Sequence, residues 1–225
     1  MSQQEWITAF WDDTHPEEYD GAAFHGLRDR REKKAWLDTL HDLVGDPPQD
    51  VLDAGTGTGF VAFLLAELGH HVTGVDVSEV MLARARAKAE AVSEPPTFLL
   101  GDVADPALPA GSLDLVICRH VAWTLLDPIG SFRAWRQLLR PGGRIVVMEW
   151  FSPTATWDPY PAEVNAALPL GHLRTPSQVE TAVREGGFDG VHAVRLNAIE
   201  EIERELTKED GYDAPERFAV IGRNE

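Results

Sequence analysis

The chain has 225 residues, of which 20 are lysine or arginine and 37 are aspartate or glutamate, so its formal net charge is −17. This acidity argues against nucleic acid and against an anionic membrane surface as partners, because both attract basic proteins. A single cysteine, Cys118, excludes a disulfide framework and any metal site built from several thiolates. The length favours one domain with additions over two full domains.

Targeting signals are not evident in the sequence. Residues 1–13 are acidic and aromatic and lack the basic and apolar regions of a signal peptide. No apolar run approaches the roughly 18 residues that a membrane-spanning helix needs. We therefore expect a cytoplasmic protein without membrane attachment, either a monomer or a homodimer.

The first 48 residues differ in composition from the rest of the chain, being rich in tryptophan, histidine and acids. Their apolar residues recur at roughly helical spacing. This predicts two or three short helices that end at Gly45 and at the prolines at 47 and 48. We interpret 1–48 as an N-terminal helical cap and 49–225 as the main domain.

From Asp50 onward, short apolar segments alternate with amphipathic ones, which indicates βαβ units and a parallel sheet. The predicted strands cover 51–54, 71–75, 97–100, 113–118 and 144–151. The predicted helices cover 58–69, 78–92, 127–139 and 175–185. Proline and glycine are frequent in 152–173, which predicts an inserted loop or lid. Two last strands, 191–196 and 217–222, flank an acidic stretch at 200–216 that we expect to be solvated.

The most informative segment is the glycine-rich VLDAGTGTGF at 51–60. Alternating glycines let the chain turn sharply from a strand into a helix and let a ligand approach the backbone. The helix N-terminus behind such a loop offers free N–H groups and a positive dipole end. These features predict a nucleotide-like ligand. The spacing Asp-x-Gly-x-Gly-x-Gly differs from the G-x-G-x-x-G of dinucleotide-binding proteins.

Further segments follow in a recognisable order. The second strand ends in Asp76 within VTGVDVS and is followed by Met81, and the third ends in Asp102 within LGDV. LDLV at 113–116 leads the fourth strand, and LLRPGG at 138–143 precedes the fifth. Together these motifs resemble the class I S-adenosylmethionine (SAM)-dependent methyltransferases, and in particular the subfamily with small-molecule and quinone-type methyltransferases. The resemblance is close over about 48–151.

The resemblance implies a Rossmann-like α/β fold with helices on both faces of a mostly parallel sheet. The strand order would be 3-2-1-4-5-7-6, with strand 7 antiparallel, and the ligand would lie at the carboxyl ends of strands 1 and 4. It also implies SAM as the cofactor, with S-adenosylhomocysteine as its product.

The resemblance further assigns cofactor-binding residues. Asp76 would accept hydrogen bonds from both ribose hydroxyls, and Asp53 would order the loop and reach the SAM amino group directly or through water. Val77 and Met81 would pack on the adenine, Asp102 and Val103 would bind its edge, and Tyr19 would close over the methionine end. The implied cofactor-binding residues are Tyr19, Asp53, Gly55, Thr56, Gly57, Gly59, Asp76, Val77, Met81, Asp102, Val103 and Arg119.

The methyl acceptor is expected near the ends of the fourth and fifth strands. His120 is our candidate general base, because an unperturbed imidazole titrates near neutrality. Arg119 is a second catalytic candidate that would hold a carboxylate of the acceptor or of SAM. The alternative interpretation of both residues is that they are structural polar groups without a part in catalysis. The candidate acceptor-binding residues are Trp11, Phe24, His25, Trp123, Glu149, Trp157, Tyr160 and His172. His70 and His71 lack ligand partners at metal spacing, so we predict no metal site.

The sequence therefore predicts an enzyme that transfers a methyl group from SAM to an oxygen or nitrogen atom of a small molecule, such as a bacterial metabolite. A carbon-methylating enzyme of the same fold and a non-catalytic SAM-binding protein remain alternatives. Protein methylation would need an open acceptor groove, whereas the cap and the proline-rich lid predict a closed pocket.

Overall fold

The computed structural model describes residues 1–22, 24–46, 48–151, 158–208 and 214–225. These residues form one sheet of order β3-β2-β1-β4-β5-β7-β6. Its strands are β1 (Asp50–Ala54), β2 (His71–Asp76), β3 (Thr97–Leu100), β4 (Leu113–Arg119), β5 (Leu139–Phe151), β6 (Asp189–Arg195) and β7 (Glu216–Arg223). Strand β7 is antiparallel to both β5 and β6, and the other pairs are parallel. The predicted fold class and topology are confirmed.

Three helices precede the sheet, in agreement with the predicted two or three. They are α1 (Gln3–Asp13), α2 (Pro16–Gly21) and α3 (Arg30–Val44). Each begins at a residue suited to a helix start, because Ser2 forms a capping box, Pro16 occupies the first turn and Asp29 accepts two backbone N–H bonds. The division of the chain into a cap at 1–48 and a domain at 49–225 stays a prediction.

The remaining helices cover both faces of the sheet. They are α4 (Phe60–Glu67), α5 (Glu79–Ala89), α6 (Pro128–Leu138), α7 (Ala162–Asn165), α8 (Pro176–Glu185) and α9 (Asn197–Thr207). No helix in the part of the chain that the structure describes is long and apolar enough to cross a membrane.

The core has two layers because the central strands are buried on both faces. On one face, Val116 of β4 packs with apolar side chains of α6 and α8 such as Trp135 and Val179. On the other face, Leu115 packs with side chains of α3, α4 and α9 such as Trp36. Burial of alternate residues on opposite faces explains why β4 reads as a continuous apolar run.

Strand β5 begins at Leu139, five residues before the predicted start at 144. The pairing of β4 with β5 shifts register between Leu113 and Leu115, so the Pro-Gly-Gly segment is accommodated as an irregularity within the ladder. Gly142, at φ 80°, donates its N–H to the carbonyl of Asn224. The predicted helix stop is thus also the start of a strand.

The acidic stretch predicted to be solvated is not fully exposed. Most of helix α9 falls in its first part, and the side chains of Glu200 and Glu203 are buried, with 3% and 2% of their surface exposed. Both carboxylates have arginine partners, Arg195 for Glu200 and Arg217 for Glu203. The prediction failed because a count of charges does not show that two of the acids face bases on neighbouring strands.

The predicted lid at 152–173 is only partly described, and Trp157 lies outside the described residues. The described remainder contains α7 and does not form an open loop. Its side chains Tyr160, Val164, Leu168, Leu170 and Leu173 are buried and belong to the core that contains Val116. This segment therefore contributes to the core as well as covering the sheet.

Candidate functional site

A cavity of about 550 Å³ lies at the carboxyl ends of the strands, under α1 and α2. It is lined by the loops that follow β1, β2, β3 and β4, which is where a ligand is expected in a sheet of this topology. Of the residues predicted for the cofactor or the acceptor, those that line it are Trp11, Tyr19, Gly55, Gly57, Asp76, Val77, Met81, Asp102, Val103, Arg119 and His120.

The glycine loop presents bare backbone to this cavity. Gly55 has φ 73°, and a Cβ there would lie 2.2 Å from Val121 Cγ2, so only glycine fits. Gly57 has φ 54°, and a Cβ at this position would meet no atom within 4 Å. Since Gly57 also lines the cavity, the space in front of it is a cradle that a side chain would fill and a ligand can occupy.

Asp76 links this loop to the start of α5. Its Oδ2 accepts the N–H of Gly57 at 2.7 Å and its Oδ1 accepts the N–H of Ser78 at 2.9 Å. Burial raises the pKa of the Asp76 carboxyl, and the N–H groups of Ser78, Gly57 and Val77 partly offset that effect. The carboxylate is therefore held rigidly at the cavity wall, where it fits a group that offers hydroxyl donors.

Three of the residues predicted to bind the cofactor, Asp53, Thr56 and Gly59, lie behind the cavity wall and do not line it. Asp53 Oδ2 accepts the Thr56 hydroxyl at 2.7 Å and the N–H of Ala62 at 3.1 Å. Burial raises the pKa of Asp53 to about 7. Asp53 and Thr56 order the loop from behind, and Gly59, at φ 87°, begins α4.

The geometry of His120 argues against the predicted general-base role. Its Nε2 lies 3.1 Å from Nη1 of Arg217. Because a guanidinium only donates, Nε2 accepts and the proton of the neutral ring is on Nδ1, which faces Glu149 Oε2 at 3.5 Å. Burial, and then the charges of Arg119 and Arg217, hold the pKa of His120 well below its ordinary value. The ring has no free lone pair with which to take a proton.

Glu149 also lies behind the cavity wall, contrary to the predicted acceptor-binding role. Its side chain is 1% exposed, and Oε1 accepts the N–H of Ala122 at 2.8 Å. Burial raises the pKa of the Glu149 carboxyl to about 8. At neutral pH the group is therefore mainly an uncharged acid that ties the end of β5 to the turn after β4.

Of the predicted acceptor-binding residues in the described chain, only Trp11 lines the cavity. Its indole N–H donates to the Tyr160 hydroxyl at 3.1 Å, and the Tyr160 ring stacks on Trp123 with centroids 5.8 Å apart. Tyr160 and Trp123 thus support Trp11 from behind. His172 is on the surface, 2.6 Å from Asp158. Those that lie away from the cavity are Phe24, His25, Trp123, Glu149, Tyr160 and His172.

Contacts of Asp20 hold α2 over the cavity. Its carboxylate accepts the hydroxyl of Thr58 and lies 3.2 Å from Lys88 Nζ and 3.4 Å from Arg84 Nε. Thr58 belongs to the glycine loop and the two bases belong to α5. The cap is thus fixed to the same elements that surround the cofactor side of the cavity.

Two groups of residues were missed by the sequence analysis. One face of α6 lines the cavity, and its members follow helical spacing, a signal that the sequence does contain: Gly130, Arg133, Ala134 and Gln137. The other is Arg217, a single base at the start of a buried strand.

Among the described residues, no three histidine, cysteine or acidic side chains gather as metal ligands would.

Comparison with known proteins agrees with this geometry. A family model described as "Methyltransferase domain" matches residues 52–147. The chain is 32% identical over 212 residues to nocamycin O-methyltransferase of Saccharothrix syringae, covering 81% of this chain and 70% of that protein. It is 32% identical over 168 residues to malonyl-[acyl-carrier protein] O-methyltransferase of Serratia marcescens, covering 70% and 60%.

A solved structure shows the same fold over almost the whole chain. Phosphoethanolamine N-methyltransferase 2 of Haemonchus contortus, in complex with SAM, superposes with a TM-score of 0.71 at 19% identity, covering 99% of this chain and 60% of that one. The fold and the glycine-lined cavity thus define a Rossmann-like protein of the nucleotide-binding type. With the sequence relatives, they show that the chain belongs to the class I SAM-dependent methyltransferases. It is an enzyme of that family, and SAM is its methyl donor.

Proposed function

We propose that this methyltransferase acts on a small molecule. Of the two kinds of acceptor atom that the sequence predicts, oxygen and nitrogen, we propose that it methylates oxygen. The observation that carries the proposal is a cavity under the cap helices in whose described wall the one histidine, His120, is engaged and not free to act as a base. The two relatives named above are O-methyltransferases, which supports the choice of oxygen.

Closure of the site supports a small acceptor. Trp11 and Tyr19 cover the cavity from the cap, and Asp20 fixes α2 to Thr58, Arg84 and Lys88. The cavity volume, about 550 Å³, lies in the range of roughly 300–1,000 Å³ that is typical of small-molecule sites. A protein acceptor would need an open groove in its place.

The wall of the cavity fits the cofactor group by group. We assign the space in front of Gly57 and the carboxylate of Asp76 to the ribose of SAM. We assign Val77, Met81 and Asp102 to its adenine. We assign Tyr19, which lines the cavity from α2, to the methionine part. When bound, SAM supplies an electrophilic methyl group on a sulfonium, and the residues of the chain orient the acceptor and exclude water.

The choice of oxygen follows from proton chemistry. His120 and Glu149 are engaged behind the wall, and burial raises the pKa of the Tyr19 phenol. An acidic enol, phenol or carboxylic acid arrives already ionised, whereas an aliphatic ammonium, with a pKa of about 10.4, must first lose a proton. A site whose histidine is not available as a base is therefore suited to an acidic oxygen acceptor, which it needs only to position.

The deciding experiment follows the methyl group. The enzyme is incubated with SAM labelled with ¹³C at the methyl group and with panels of small phenols, enols, carboxylic acids and amines. We expect labelled product from the acidic oxygen compounds, with the carbon NMR shift of a methyl bound to oxygen. A methyl bound to carbon, or transfer only to peptides, would contradict the proposal.

The pH profile gives a second prediction. Because the enzyme does not remove the proton, kcat/KM should rise with pH up to the pKa of the acceptor. The midpoint should then move when the acceptor is exchanged for one of different acidity. We would measure two phenols of the same shape whose pKa values differ by about two units. A midpoint that stays fixed for both would indicate an enzyme base and refute this mechanism.

Asp76→Asn should weaken binding of S-adenosylhomocysteine by roughly 10–100-fold, since a hydrogen bond to a charged group contributes about 1.5–3 kcal/mol. Titration calorimetry measures the affinity, and circular dichroism checks the fold. Asp42→Asn, an exposed site on α3, is the matched control for the loss of one negative charge and should bind as the parent does. Unchanged affinity in Asp76→Asn would rule out our assignment of the ribose.

A further inference from the structure

Two guanidinium groups converge on one neutral oxygen beside the cavity. The Nη2 groups of Arg119 and Arg217 both donate to the backbone carbonyl of Phe24, with the Arg217 bond at 3.3 Å. Two like charges held against a single carbonyl form an arrangement that an anionic oxygen would satisfy better, because hydrogen bonds to an ionised acceptor are stronger.

Phe24 adopts a strained conformation to make these contacts. Its φ is 71°, in the left-handed region that side chains other than glycine rarely adopt. Such strain persists only when surrounding contacts maintain it, and it often marks a segment that changes conformation with a ligand. Here the contacts that maintain it are the two arginines and the Trp150 ring, whose centroid is 5.7 Å from that of Phe24.

The charge of Arg119 is not balanced by a neighbouring carboxylate. Arg217 has Glu203 at 2.7 Å, but among the residues that the structure describes no acidic oxygen lies within 4 Å of the Arg119 guanidinium. Arg119 instead lies 4.2 Å from the centroid of the Phe60 ring, and its Nε has no acceptor. A buried cation of this kind is costly unless an anion joins it.

The nearby ionisable groups do not supply that anion in direct contact: Glu203 is paired with Arg217, and Asp53 is hydrogen-bonded to Thr56 and Ala62. Burial lowers the pKa of His25 to about 3 and raises that of Glu149 to about 8, so both are mainly uncharged at neutral pH. The buried Nδ1 of His25 also has no partner. The rings of His25 and Tyr19, with centroids 4.4 Å apart and planes tilted by 41°, lie against one another beside the arginines.

We propose that Arg119 and Arg217 form the subsite for the anionic oxygen group of a planar methyl acceptor, and that the Phe24 carbonyl occupies this subsite when no acceptor is bound. The inference rests on the proposed function and names the acceptor class as a flat carboxylate, enolate or phenolate. On binding, the acceptor oxygens replace the Phe24 carbonyl as partners of both guanidiniums, and Phe24 leaves its strained conformation. Arg119 lines the cavity, so the subsite is continuous with the cofactor side.

The test uses binding of a probe and does not depend on methyl transfer. With S-adenosylhomocysteine saturating, calorimetry compares benzoate with benzamide, its uncharged analogue of the same shape. Benzoate should bind to the parent enzyme about tenfold or more tightly than benzamide, and Arg119→Gln should abolish that preference. Arg86→Gln, which removes a surface arginine of α5, should keep it. Equal affinity for the two probes in the parent, or a preserved preference in Arg119→Gln, would overturn the proposal.

A second measurement separates the acceptor from the cofactor as the partner of Arg119. The affinities of S-adenosylhomocysteine and of methylthioadenosine, which lacks the amino-acid part, are compared in the parent and in Arg119→Gln. We expect Arg119→Gln to change the affinities for S-adenosylhomocysteine and for methylthioadenosine by the same factor. A selective loss for S-adenosylhomocysteine would assign Arg119 to the cofactor carboxylate and overturn the proposal. Benzoate binding through Arg119 without any O-methylation would instead refute the proposed function alone.

Discussion

Arg217→Met should lower the free energy of unfolding by about 3–5 kcal/mol, because it leaves the Glu203 carboxylate buried without its partner. Both side chains are 2% exposed, and Arg217 Nε lies 2.7 Å from Glu203 Oε2. The variant also removes the donor that holds His120 and one of the two donors to Phe24. Urea denaturation followed by circular dichroism measures the loss.

Two comparisons make this prediction specific. The double variant Arg217→Met/Glu203→Leu should recover most of the stability, because replacing both members of a buried pair by apolar groups is often neutral. Arg31→Met breaks the ion pair of Arg31 with Glu205, which has a similar length of 2.8 Å and also involves α9 but is exposed. It should cost less than about 1 kcal/mol. Equal losses from the buried and exposed pairs would contradict the argument.

The Glu149 carboxyl should make the parent enzyme less stable as the pH rises from about 5 to about 8, while the lowered pKa values of His25 and His120 act in the opposite direction at the acidic end of this range. The Glu149 carboxyl has a pKa of about 8 in the folded chain against an ordinary value of 4.5, so between these values the folded state keeps a proton that the unfolded state has lost. The contribution is complete below the unfolded pKa and is lost as pH rises through the folded one. Asp53, whose pKa is about 7 in the folded chain, acts in the same direction.

Glu149→Gln should remove the Glu149 contribution to the pH dependence, because an amide keeps an oxygen for the N–H of Ala122 and does not ionise. Relative to the variant, the parent should lose on the order of 2–4 kcal/mol between pH 5 and pH 8. Urea denaturation at several pH values measures both proteins, with Glu67→Gln, half-exposed on α4, as the control. Parallel pH profiles for the parent and Glu149→Gln would show that Glu149 is already ionised in the folded chain.

The cofactor side of the site could be predicted from the sequence because it depends on local features. Gly55 and Gly57 follow the end of one strand, Asp76 ends the next, and Asp102 follows the third. In a parallel sheet the ends of neighbouring strands meet at one edge, so the spacing of the motifs determines which side chains share the cavity. The structure brings all four to the cavity wall.

The acceptor side could not be predicted in this way, because its properties arise from residues far apart in the chain. Arg217 of β7 fixes the tautomer of His120, and no pattern around His120 indicates that contact. The raised pKa of Glu149 depends on complete burial, and the burial of Glu203, in α9, depends on an arginine of β7. For each of these residues, the sequence suggests a solvated or catalytic group. Packing in the folded chain instead makes it a fixed structural group.

The position of β7 between β5 and β6 has a consequence for how the protein is made. Strand β5 pairs with β7, and α7, α8, β6 and α9 separate the two along the chain. During synthesis, the strands and loops that surround the cofactor emerge first, while β5 keeps an unpaired edge that is open to aggregation. Only when β7 has emerged does the sheet close and Arg217 reach Phe24 and His120. On the site assignments that we propose, the strands and loops of the cofactor side are therefore made before the acceptor subsite can be completed.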